Sequence, residues 1–129
     1  MADRMKPQST AEEIFDGIAE AIDGIEVFHN QLLVGVYIRP NITSGGIHLP
    51  DQTIDEDKWQ GKVGMVLKKG PLAFKNDARN DFGGQNVDIG QWVMFRVSEA
   101  PSISVNGVHC RLLEDIHVRG VISSPSYIW

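Results

Sequence analysis

The chain has 129 residues, 42% hydrophobic and 22% charged, which suits one soluble domain with room for a small appendage. Its single cysteine, Cys110, excludes an internal disulfide, no apolar run approaches a membrane span, and the polar start MADRMKPQST lacks a signal-peptide core, so a cytoplasmic setting is expected. The net charge of −5 sits at one end: residues 1–26 hold Arg4 and Lys6 against seven acids, while the other 103 residues hold ten of each sign, and neither part has the basic stripe that binds nucleic acid. The division predicts an acidic N-terminal arm over 1–26 and a neutral body over 27–122, followed by a tail over 123–129.

The arm predicts one amphipathic helix over about 10–23. Ser9 with Glu12, and Thr10 with Glu13, form overlapping capping boxes in which a hydroxyl takes a free N–H and an acid reaches back. Ile14, Ile18, Ile22 and Ile25 then recur at helical spacing, with Phe15 and Ala19 widening the stripe, and Gly24 fits a stop. Gly17 weakens such a helix by roughly 1 kcal/mol relative to alanine. The stripe must be buried against its own domain, a neighbouring subunit or a partner.

The body predicts an all-β domain. From Gln31 to Arg39, Leu32, Val34, Val36 and Ile38 alternate with Gln31, Leu33, Gly35, Tyr37 and Arg39, the pattern of a half-buried strand. Further strands are expected at Lys62–Leu67, Gln91–Val97, Ile103–Val105, Val108–Leu112 and Ile116–Ile122. Asn106-Gly107 is the strongest two-residue hairpin signal. Short strands divided by Gly, Pro and Asn turns indicate a small barrel or sandwich. The open edges of such a sheet must be paired or guarded. Leu32–Ile38 and Ile116–Ile122 are the expected edges, and a homo-oligomer is the expected consequence. No second helix and no internal repeat is expected.

Two connections are long, residues 40–60 and 68–86, and long connections in a compact domain usually carry function. The first contains TSGGIHLPDQT, in which Ile47 and Leu49 follow Gly45-Gly46 and precede Pro50. Those aliphatics either pack on their own domain or await a partner. Catalytic chemistry is sparse. His109, Cys110 and His117 match no zinc spacing, and Cys110 falls on the apolar side of its strand with Val108 and Leu112. The acids Asp51, Asp55, Glu56 and Asp57 lack the alternation and central glycine of a calcium loop. Neither glycine pair opens a helix that would cradle phosphate. No enzymatic activity, metal or cofactor is expected.

The order of these features resembles the GroES or chaperonin-10 family. The resemblance rests on Ser44-Gly45-Gly46-Ile47-His48-Leu49-Pro50 between a strand and Gly61-Lys62-Val63. Val87-Asp88-Ile89-Gly90-Gln91-Trp92-Val93 and Leu112-Leu113-Glu114-Asp115-Ile116 add to it, and it covers about residues 27–122. It implies a small irregular GroES-like β-barrel, here preceded by an amphipathic helix, assembled in a ring. It also implies a loop, Gly45, Gly46, Ile47, His48, Leu49 and Pro50, that docks on a GroEL-type chaperonin through Ile47, His48 and Leu49. His48 stands where the family usually has an aliphatic, and the family has no counterpart of the helix or of the tail Ser123–Trp129. The combination looks closest to GroES-like proteins of bacteriophages, which would act in the host cytoplasm. The alternative expectation is a virion structural protein, in a head-decorating or neck position, that reuses the barrel and contacts phage capsid or neck proteins. No nucleic-acid or membrane partner is expected on either.

Overall fold

The computed structural model describes residues 8–38, 62–76 and 81–125. They form one helix, α1 (Ala11–Ile22), and six strands: β1 (Gln31–Val36), β2 (Val63–Lys69), β3 (Trp92–Phe95), β4 (Ser102–Val105), β5 (Val108–Glu114) and β6 (Val118–Ile122). Short 3-10 turns over Val97–Glu99 and Asp115–His117 precede β4 and β6. The strands make a single sheet in the order β4-β5-β1-β2-β3-β6, with every pairing antiparallel. The all-β expectation for the body is met by this sheet. Among the described residues no ladder joins β4 to β6.

The helix begins where the capping residues place it. Of the two overlapping boxes, Thr10–Glu13 forms: the Glu13 N–H donates to Thr10 Oγ1 at 3.1 Å. The Glu13 carboxylate turns back one residue further than expected and accepts from Ser9 N–H at 3.2 Å and from Ser9 Oγ at 2.7 Å. Ile14 and Ile18 are fully buried, whereas Phe15 keeps 37% of its surface exposed. The stripe is therefore narrower than the sequence suggested, and its buried part lies on the protein's own sheet. Ile14 and Ile18 pack with Leu33, Met65, Leu67, Val108 and Cys110.

Docking of α1 changes the character of β1. The alternation predicted one wet face, but Leu32 through Val36 are all buried. Leu32, Val34, Val66, Val93, Phe95 and Leu113 form a second core on the opposite face, closed by Ala73, Val87 and Ala100. Gly35 is what lets the helix approach. A β-carbon there would lie 2.5 Å from Ile14 Cγ2, well inside van der Waals contact. Alternation along β2 puts Val66 in one core and Met65 and Leu67 in the other, and a bulge between Leu33 and Val34 leaves Leu67 as the extra residue of β2, so that Leu33 is opposite Lys68.

The structure corrects one expected edge. β1 is bonded to β2 on one side and to β5 on the other, so it has no free edge to offer. Among the described residues the edges are β4 and β6; the expected edge Ile116–Ile122 is met by β6 over Val118–Ile122, Ile116 and His117 lying in the 3-10 turn before it, and the expectation for Leu32–Ile38 is not met. The local signals did not contain this because the β1–β5 pairing joins residues some 80 apart in sequence. The Asn106-Gly107 turn adopts positive φ at both residues, +50° and +80°, the two-residue hairpin geometry that dipeptide favours. Its Asn106 Nδ2 donates to the Gly17 carbonyl at 2.9 Å and ties the hairpin to α1. Gly17 is buried, which accounts for a poor helix former at that position.

Ile18→Ala should cost about 2–5 kcal/mol, read as a lowered urea midpoint, while Phe15→Ala, at a side chain that keeps 37% of its surface exposed, should cost clearly less; equal losses would mean that the helix docks by another face. Gly70→Ala should also destabilise, by about 1–3 kcal/mol or more. Its new methyl would meet the backbone carbonyl of His29, which has no rotamer through which to escape.

Candidate functional site

Ile47, His48 and Leu49, with Gly45, Gly46 and Pro50, lie outside the described residues. What the structure gives is the ground on which their connection stands. The chain leaves β1 through Tyr37 and Ile38 and re-enters the sheet at Lys62 and Val63. Departure and return are bonded neighbours: Tyr37 N–H donates to the Val63 carbonyl at 2.8 Å, and Phe95 N–H to the Lys62 carbonyl at 3.0 Å. The Tyr37 ring meets the Trp92 indole edge to face, at 6.0 Å and 86°. The 39–61 connection thus springs from a paired hairpin stem, braced by two aromatic rings and by the third strand of the sheet.

A residue that sequence reasoning passed over completes the stem. Gln8 is 1% exposed. Its Nε2 donates to the Val36 carbonyl at 2.8 Å and to the His109 carbonyl at 3.0 Å, and its Oε1 accepts from His109 N–H at 2.8 Å. Its own carbonyl accepts from Ile38 N–H at 3.0 Å. Gln8 sits where β1 and β5 part, one residue beyond their last pair, Gly35 with Cys110. Nothing in a polar N-terminal run marks a glutamine as buried, since the groups it satisfies are 28 and 101 residues away.

The second long connection begins later than expected, because β2 continues through Lys69. It is fastened to the sheet by Asp115, which is buried. Asp115 Oδ1 accepts from Asn30 Nδ2 and Oδ2 from Phe74 N–H, both at 2.9 Å. Phe74, at φ +61°, packs edge to face on Phe82 at 5.5 Å. Lys69 Nζ donates to Asn86 Oδ1 at 2.8 Å. Lys69, Phe74, Lys75 and Asn86 border a shallow cleft of about 560 Å³. Among the described residues no pair of reactive groups converges there.

Among the described residues the histidines and the cysteine do not gather. Cys110 lies in the core beneath α1, and burial pushes its thiol up to about 12. His109, its neighbour along β5, has its ring beside Ser102 Oγ, at 3.4 Å; adjacent strand residues face opposite ways. His117 lies 3.9 Å from Glu99 and 3.8 Å from Glu114. The Arg119 guanidinium, bonded to Glu99 at 2.9 Å, holds that carboxyl below the usual carboxylate range. Among the described residues no cluster of His, Cys, Asp and Glu has metal-binding geometry. No helix there is long and apolar enough to cross a membrane.

No family model matches the chain, and no curated protein matches it.

A thiol pushed up to about 12 is almost wholly protonated at pH 8, and the thiolate is the reactive form. Native protein should therefore leave Cys110 unlabelled by Ellman's reagent over an hour at pH 8, with one equivalent released in denaturant. Rapid labelling of the native protein would place Cys110 in an open site.

Proposed function

We propose that the protein is a GroES-like co-chaperonin, a ring subunit whose Ser44–Pro50 loop docks on a GroEL-type chaperonin and helps to cap its folding cage. The observation that carries this is the hairpin stem. A partner-binding loop needs a firm base, and the 39–61 connection has one, with Tyr37 bonded to Val63 and the Tyr37 ring set on Trp92. The six-stranded antiparallel sheet is compatible with an irregular barrel of that family. Its outer strands β4 and β6 carry half-exposed Ile103 and Val121, apolar groups suited to edge pairing between copies in a homo-oligomer. The proposed work is mechanical, closure of a cage and a shift in the partner's conformational balance, and needs no catalytic group or cofactor. The host cytoplasm is the proposed compartment if a phage encodes the protein.

The virion alternative, docking on phage capsid or neck proteins, has less behind it. It draws on the acidic helical arm and the apolar tail as docking segments; Ile14 and Ile18 of the arm are buried on the protein's own sheet, and the tail from Ser126 onward lies outside the described residues.

In the proposed complex the partner buries Ile47 and Leu49, at about 1.5–3 kcal/mol each. Ordering the loop offsets much of that, at about 1–2 kcal/mol per residue, so one loop binds weakly. A ring of loops binds well because each contact raises the effective concentration of the next. Ile47→Ser with Leu49→Ser should therefore abolish binding to the host's GroEL-type ring in isothermal titration while leaving the far-ultraviolet circular dichroism unchanged. His48→Ile should tighten binding, because a polar group no longer enters an apolar groove. A wild-type protein that shows no binding, with or without nucleotide, would overturn the proposal.

A further inference from the structure

We infer that Gln8 is a positioning residue for the 39–61 connection, a side-chain latch through which the N-terminal segment sets the stem that carries the partner-binding loop. The partner's identity rests on the co-chaperonin proposal; the latch rests on bonds within the protein.

The sheet itself creates the need for such a group. β1 and β5 pair from Gln31–Glu114 to Gly35–Cys110 and then part. The next two residues in line, Val36 and His109, would leave three backbone groups in a fully buried place, and unpaired backbone groups are scarcely tolerated there. A primary amide has two donor hydrogens and an acceptor oxygen. The Gln8 amide uses all three, on the Val36 carbonyl, the His109 carbonyl and the His109 N–H. It stands in for the missing strand pair and bridges the end of β1 to β5.

The backbone of Gln8 acts on the same place. Gln8 and Ile38 form an antiparallel bridge, and Ile38 is the last described residue before the connection. On its other side Tyr37 is bonded to Val63. The exit of β1 is therefore held by two elements, β2 and the N-terminal segment, and only the second can be withdrawn without opening the sheet. Two residues after Gln8, Thr10 caps α1, so the latch is also fixed by the docking of Ile14 and Ile18. Loss of the Gln8 bonds would free the stem on one side while Tyr37 stays bonded to Val63 on the other. Gln8 thereby couples the start of α1 to the stem of the loop.

The test compares Gln8→Asn and Gln8→Leu with Ile22→Ala. The asparagine amide falls one methylene short of bridging both strands, and leucine removes it. Ile22 packs on the edge of the helix-side core and serves as a control that loses stability without touching the latch. Hydrogen exchange should accelerate by about tenfold or more at the His109 amide in both Gln8 variants and not in the control, as expected of a local opening. Trypsin should cut after Lys58, within the connection, several-fold faster in the Gln8 variants, and the control should match wild type. Titration against the chaperonin ring should show affinity about tenfold weaker, because a loosened stem raises the cost of ordering the loop. Wild-type cleavage at Lys58 in both Gln8 variants, or an equal rise in Ile22→Ala, would overturn the latch. Absence of ring binding by wild type would remove the partner instead, and the exchange and cleavage comparison would still decide the latch. If Gln8→Leu does not fold, Gln8→Asn, which keeps a polar amide in the polar seat, carries the comparison.

Discussion

Leu33, Met65, Leu67, Val108 and Cys110 make one face of the sheet apolar, and Leu32, Val34, Val66, Val93, Phe95 and Leu113 do the same to the other. A sheet with two apolar faces needs two covers. The long β2–β3 connection and the turn before β4 cover one face, with Ala73, Val87 and Ala100. The other face has α1. The helix is therefore part of the body's core, although its charge sets it apart in the sequence. Its outward face keeps Glu12, Asp16, Glu20 and Asp23 in water, which is why the acidity of the arm and its integration into the fold are compatible. The contact that fixes the arrangement is Ile14 over Gly35, because any side chain at that position of β1 would hold the helix off.

From that contact the rest of the stem follows. Seating α1 on β1, β2 and β5 brings the residues just before its cap to the end of the sheet where β1 and β5 diverge. Gln8 fills that divergence and Ile38 pairs with it. The opposite end is held differently. There Asp115 gathers Asn30 and the Phe74 N–H, and the Gly70 backbone lies against the His29 carbonyl, so two turns and a 3-10 segment close on one carboxylate. Both ends use a single buried polar side chain to satisfy backbone groups that the ladders leave over. Such groups are worth more for what their loss would expose than for the bonds themselves.

Local features suffice for the elements, and long-range pairing decides the rest. The Thr10–Glu13 box and the isoleucine spacing were enough for α1, alternation for the strands, and Asn106-Gly107 for the hairpin, because each is a short-range preference. The two-faced burial of β1 was not legible: Gln31, Tyr37 and Arg39 suggest a wet face, and only the helix, docking from outside the strand, dries it. The sheet order was hidden for the same reason, since β5 returns to β1 across more than half of the chain and β6 passes over β4 and β5 to reach β3. Of the site, Ile47, His48 and Leu49 were chosen by pattern and resemblance, and the described structure speaks to their base alone. Gln8 left no trace in the sequence, because a glutamine becomes informative only when the strands it bridges are known.

The two kinds of support at the stem differ in what they can do. The Tyr37–Val63 bond and the Tyr37–Trp92 contact belong to the β1–β2 hairpin and the strand beside it, and breaking them would open the sheet and expose both cores. The Gln8 bonds lie where β1 and β5 part, two residues before the cap of α1. Opening there breaks four hydrogen bonds and leaves the ladders of the sheet paired. Local openings of that kind are far less costly than global unfolding, so they can be populated while the core stays packed. A loop that must be free to meet a partner and firm enough to hold it is best mounted on such a pair of supports, one permanent and one releasable. In this chain the permanent support comes from the sheet and the releasable one from the segment that precedes the helix.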